Sequence, residues 1–129
     1  MGSSFNALTL AEIQKANSLL IKRNGGLGIG FLNAASLEYA LEEIVGSMFG
    51  KELCPTVYDK AATLGWRIIK GHVFIDGNKR TGIFAAIMTL RFNRVEVAAS
   101  EDELKGVALA IANGEMSIEE FADFLRGKS

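Results

Sequence analysis

Helix-start signals recur along this chain and leave little room for sheet. Thr9 is followed three residues later by Glu12, Ser100 by Glu103, and Ser117 by Glu120. At this spacing the hydroxyl caps the third helical amide, and the carboxylate reaches back to the amide of the cap. Leu8 with Ile13, and Met116 with Phe121, stand where hydrophobic staples would flank two of these starts. Asn24-Gly25-Gly26, Asn113-Gly114 and Gly127 are the matching stops. The first helix is expected from about Leu10 to Arg23, the fifth from Ser100 to Asn113, and the sixth from Ser117 to Gly127.

Between these lie three further helices. Asn33 and Ser36 are candidate caps for a second helix running to about Met48, with Leu37, Ala40, Leu41, Ile44 and Val45 on one face. The segment from Phe49 to Cys54 carries Gly50 and is short enough for a flap or hairpin. Pro55 suits the first position of a third helix, where no amide donor is needed. Val57, Ala61, Leu64, Ile68 and Ile69 recur along that helix, which ends near Gly71. A fourth helix spans about Asn78 to Phe92 and is apolar on nearly every side, through Ile83, Ala86, Ile87 and Leu90. It is expected at the centre. Asn93 and Arg94 then turn the chain into a short extended Val95-Glu96-Val97. The expected fold is all-α: a single domain over residues 1–129, with about six helices around a central one and a short flap. Met1-Gly2-Ser3-Ser4 is no signal peptide and reads in part as an expression scar.

Composition narrows the function. With 129 residues, 49% of them hydrophobic, the chain can build one core without staples. A formal net charge of −1 gives no general attraction to nucleic acid or to a membrane surface. Phosphate chemistry would have to come from a local cluster of cations. Cys54 is the only cysteine, so the chain can form neither an intrachain disulfide nor a cysteine metal cluster, which fits a reducing cytosol. No apolar run approaches the roughly 18 residues of a membrane span. A cytoplasmic protein is expected.

One stretch breaks the helical pattern: Gly71-His72-Val73-Phe74-Ile75-Asp76-Gly77-Asn78-Lys79-Arg80-Thr81-Gly82. Lys79 and Arg80 fall in the first turn of a helix, where the dipole disfavours cations by about 0.3–1 kcal/mol each. They are either two solvated surface cations or partners of an anion held by the amides around Gly77 and Asn78. Asp76 is either a helix cap or a carboxylate for a divalent ion that bridges nucleotide phosphates. His72, the only histidine, is either structural or a general base for a Ser or Thr hydroxyl at neutral pH. Phe74 suits an anchor that pins the loop to the core. Lys70, two residues before His72, is a further candidate to reach a phosphate.

This stretch resembles the signature of the Fic/Doc family, His-x-Phe-x-Asp/Glu-Gly-Asn-Gly-Arg-x-x-Arg. His72, Phe74, Asp76, Gly77, Asn78 and Arg80 stand at the matching places. Two positions depart from it: Lys79 replaces the second glycine of the phosphate nest, and Ile83 replaces the last arginine. Both departures resemble the Doc (death-on-curing) branch, which reads Asn-Lys-Arg-Thr. Asn24-Gly25-Gly26-Leu27-Gly28 and the flap before Pro55 extend the likeness over most of the chain from about Ile21 to Val97.

The resemblance implies roles for these residues. His72 would be the catalytic base, and Asp76 would work with Mg²⁺. Gly77, Asn78, Lys79 and Arg80 would hold the phosphates of ATP. Family members with the full pattern transfer AMP from ATP. The Doc branch instead implies transfer of the terminal phosphate to a protein hydroxyl, of elongation factor Tu, arresting translation. Lys79 and Ile83 favour the second outcome. A nucleotidyltransferase, or a catalytically silent module that binds nucleotide or antitoxin, are the alternatives. No Ser or Thr here has Glu four residues on, so the self-inhibitory helix common in the family is not expected. Doc-like toxins are instead neutralised by a partner antitoxin whose disordered tail folds into a groove on the toxin.

Overall fold

The computed structural model describes residues 4–129, so the first three residues of the expected scar, Met1-Gly2-Ser3, lie outside the described residues. Six helices follow in order: α1 (Leu10–Asn24), α2 (Ala34–Glu43), α3 (Val57–Lys70), α4 (Asn78–Phe92), α5 (Glu101–Ala112) and α6 (Ile118–Gly127). Between α2 and α3 stands a hairpin of β1 (Ser47–Met48) and β2 (Lys51–Glu52), the expected flap. Phe49 and Gly50 form its turn, with φ of 53° and 77°. Two left-handed residues match a tight turn to the twist of the strands.

The three expected capping boxes close reciprocally at Thr9, Ser100 and Ser117. A fourth box was not foreseen: Thr56 accepts from the Asp59 amide, and Asp59 accepts from the Thr56 amide. Its acid is the shorter aspartate rather than glutamate. Pro55 therefore precedes the cap instead of occupying the first helical position. The second helix is also shorter than expected, ending at Glu43 rather than near Met48. The amides of Val45 and Gly46 bond to the carbonyls of Glu42 and Glu43, which tightens and stops the last turn. The Gly46 carbonyl then accepts from Leu53 to start the hairpin. Leu37, Ala40 and Ile44 are buried as expected, but Val45 is exposed.

The helix α4 is central, and it shares that place with α3. The two cross at Gly65 and Gly82, where a Cβ on either glycine would stand 2.7 Å from the carbonyl oxygen of the other. α3 also packs on α2, α5 and α6, and α4 on α1 and α5. One half of the core gathers Ile13, Leu37, Leu64, Ile68 and Phe74. The other gathers Ile69, Leu90, Ile111, Phe121 and Leu125. Each such side chain contributes roughly 1.5–3 kcal/mol on burial. The packing fixes the end of α3 beside the start of α4, and the chain between them carries the unusual stretch. The segment Val95-Glu96-Val97, expected to be extended, joins no strand. Among the described residues, no helix is long and apolar enough to cross a membrane.

Candidate active site

The loop from Gly71 to Gly77 is zipped onto residues 30–33. The Val73 carbonyl accepts from the amides of Leu32 and Asn33, and the Ile75 amide donates to the Gly30 carbonyl. Phe74 is the expected anchor: it is buried and stacks on Phe31 with centroids 5.0 Å apart. Asn78 clamps the loop from the helix side. Its Nδ2 donates to the Phe74 carbonyl and its Oδ1 accepts from the Phe74 amide, both at 2.9 Å. The side chain read as a phosphate ligand is thus committed first to loop closure, which leaves one amide hydrogen free.

His72 opens the loop in the left-handed region, with φ 48°, and its side chain is exposed. Histidine is among the few residues other than glycine found in that conformation. Asp76 lies near the far end of the loop and is not the helix cap. Its Oδ2 accepts from the Leu27 amide and its Oδ1 from the Gly77 amide, each at 2.7 Å. It thereby ties the glycine-rich segment after α1 to the start of α4. These two amides, and secondarily Arg80 and Lys79, hold its carboxyl below the usual range.

Asn17 is a site residue the sequence reading missed. It is buried in α1, and its Nδ2 donates to the Asp76 carbonyl at 2.8 Å and to Thr81 Oγ1 at 3.1 Å. The signal was present: Ile13, Asn17 and Ile21 follow one helical face, and a polar residue on an apolar stripe asks for a buried partner.

The start of α4 differs from every other helix start. Gly77 is its cap, left-handed at φ 76°, and among the described residues this is the one helix whose cap makes no side-chain hydrogen bond. No acid lies in its first turn. The amides of Asn78, Lys79 and Arg80 therefore face outward with the positive end of the dipole. Lys79 and Arg80 are exposed beside them, and among the described residues neither forms an ion pair. This arrangement suits a polyanion. Lys70 is not part of it. Its ammonium is directed to the turn between α5 and α6, 3.9 Å from where a Cβ on Gly114 would stand.

No group of three or more His, Cys, Asp or Glu side chains converges among the described residues. A closed protein cage for a metal is therefore not the mode available. A single carboxylate kept ionised beside an anion site does fit Mg²⁺, which binds through one or two carboxylates plus phosphate oxygens and water. Asp76 would hold it, each oxygen keeping acceptor capacity beyond its one amide.

The lowered Asp76 pKa has a consequence for stability. A carboxyl depressed on folding contributes stability that is full above its unfolded pKa of about 4 and is lost as pH falls through the lower folded value. Asp76→Asn is expected to flatten the fall of the urea midpoint between about pH 5 and pH 3. Parallel slopes for variant and parent would show that the carboxylate does not tie the two segments together.

A model of the Fic/DOC family matches residues 7–90, which include this whole site. The chain is 33% identical over 106 residues to "Protein kinase doc" of Escherichia phage P1, covering 82% of each chain. It is 36% identical over 66 residues to "Toxin Doc" of Mycolicibacterium smegmatis, covering 51% of each. With the loop, the uncapped helix start and Lys79 in place, the chain belongs to the Fic/Doc family, in its Doc branch.

Proposed function

We propose that this protein is a toxin that transfers the γ-phosphate of ATP to a Ser or Thr hydroxyl of a cytoplasmic protein, elongation factor Tu, and so arrests translation. The observation that carries the reading is the start of α4. Outward amides, two cations without ion-pair partners among the described residues, and an ionised Asp76 together match a nucleotide polyphosphate with Mg²⁺. Mg²⁺ would supply charge neutralisation across the phosphates.

The chain's own residues supply the rest. Lys79, Arg80 and the amides around Gly77 would grip the phosphate oxygens, and Asn78 would keep the nest in shape through its bonds to Phe74. His72 would take the proton of the accepting hydroxyl as its oxygen bonds to the γ-phosphorus. The bond from that phosphorus to the bridging oxygen then breaks, and ADP leaves. Terminal-phosphate transfer is favoured over AMP transfer by two side chains. Lys79 takes the place of a glycine that would leave room for another phosphate. Ile83 packs into the second half of the core, so its position offers no further cation.

An antitoxin is the expected partner. Its tail would fold as an apolar helix into the groove of about 320 Å³ between α1 and α4, lined by Leu8, Ile13, Leu19, Phe84 and Met88. Leu19 and Phe84 remain substantially exposed there, as an occupiable groove requires.

The deciding experiment incubates the purified chain with elongation factor Tu, Mg²⁺ and ATP labelled on the α- or the γ-phosphate. Label from γ alone is expected. Label from α would replace this reading with AMP transfer. No label on the factor or on any protein of a whole bacterial lysate would leave a binding module.

A further inference from the structure

A second cleft, of about 650 Å³, lies between the start of α2 and the end of α3. Asn33 and Tyr39 of the α2 side face Trp66, Arg67, Lys70 and Gly71 at the end of α3. It runs up to the residue before His72. No carboxylate lines it, although the chain as a whole is slightly acidic, and two cations do.

The walls are held in place. The Trp66 indole N–H donates to the Met116 carbonyl at 2.9 Å, which fixes the ring. The Arg67 guanidinium lies 5.4 Å from that ring's centroid. Its Nε and Nη2 both donate to the Glu43 carboxylate, at 3.1 Å each. Glu43 thus fixes Arg67 from behind while more than a third of the Arg67 side chain stays open. Lys70 forms no ion pair among the described residues. Tyr39 is 66% exposed, an aromatic side chain with nothing laid over it. A fixed indole, an open tyrosine, an unpaired Lys70 and the open edge of an Arg67 already paired with Glu43 make a surface for a partner carrying one negative charge.

We propose that this cleft docks an extended, acidic segment of the protein substrate, with a Glu or Asp of that segment meeting Lys70 so that the neighbouring hydroxyl reaches His72. The identity of the bound segment as substrate rests on the phosphotransfer reading above; the binding itself does not. Position supports it: the phosphates are placed at the start of α4, beyond the loop, whereas this cleft adjoins the loop at its His72 end. The base and the segment carrying the hydroxyl would then meet on one side.

Trp66 is the only tryptophan, so its fluorescence reports on the cleft directly. The probe is the blocked peptide Gly-Glu-Thr-Glu-Gly, titrated without nucleotide, with Gly-Lys-Thr-Lys-Gly as its control. A saturable change with the acidic peptide alone is expected, weakened about tenfold by Lys70→Glu and by Tyr39→Ala and largely restored by Lys70→Arg. In turnover, Lys70→Glu is expected to raise KM for elongation factor Tu about tenfold, with kcat and ATP affinity within about twofold. If the acidic peptide does not bind, or Lys70→Glu weakens ATP instead of peptide, the docking proposal falls. Peptide binding that depends on Lys70, in a protein that transfers no label, keeps the cleft and removes the phosphotransfer reading.

Discussion

His72→Asn is expected to lower the rate of phosphate transfer about 10²- to 10⁴-fold while ATP–Mg²⁺ binds within about twofold of the parent affinity. The size is that of a positioned general base removed from the transition state. The split follows from the layout: the groups assigned to phosphate lie from Asp76 to Arg80, at the opposite end of the loop from His72. Asparagine is the informative replacement because the residue sits at φ 48°. Asparagine tolerates that conformation, whereas alanine adds a backbone strain of roughly 1 kcal/mol that would blur chemistry with folding. The measurement is single-turnover transfer of γ-label, with nucleotide affinity read separately by calorimetry. Equal loss of rate and affinity would place His72 in nucleotide binding. An unchanged rate would remove the base from the mechanism.

What the sequence revealed of this layout depended on how local each signal was. Capping boxes are contained within four residues, so the starts at Thr9, Ser100 and Ser117 were legible, and the helices follow them closely. The loop motif was legible for the same reason, down to Phe74 as anchor. The end of α2 was not, because Val45 suits a buried helix face by pattern. The hairpin, not the pattern, decided where the helix stopped. The bond from Asp76 to Leu27 spans 49 residues and leaves no local trace. Asn78 shows a different limit. Its place in the motif was clear, but its first task, holding both backbone groups of Phe74, depends on the shape of the loop. Lys70 lies two residues from His72 in sequence, yet its side chain lines the cleft beside α3 rather than the start of α4.

The close crossing of α3 and α4 was hidden in the same way, and it carries the second large prediction. Gly65 and Gly82 look like helix-weakening residues, and replacing an exposed helical glycine with alanine ordinarily gains about 1 kcal/mol. Here a Cβ on Gly82 would stand 2.6 Å from Ile69 Cγ1 and 2.7 Å from the Gly65 carbonyl oxygen. The second contact is with backbone, which cannot swing aside, so the helices must separate. Overpacking of this kind costs about 1–3 kcal/mol, which outweighs the gain in propensity. Gly82→Val is expected at or beyond the upper end, about 3 kcal/mol, a large fraction of the stability of a domain this size. Gly106 in α5 is the control. A Cβ there meets nothing within 4 Å, so Gly106→Ala should stabilise by about 1 kcal/mol. Urea unfolding of the variants reads both signs.

A functional consequence follows, because α3 leads into His72 and α4 carries the residues proposed to hold phosphate. The milder Gly82→Ala, still folded, should lower transfer more than its loss of stability explains, since displacing one helix by a fraction of an ångström misaligns base and phosphate. Transfer at full rate in folded Gly82→Ala would mean that the loop, through Phe74 and Asn78, sets the alignment independently of the helix crossing.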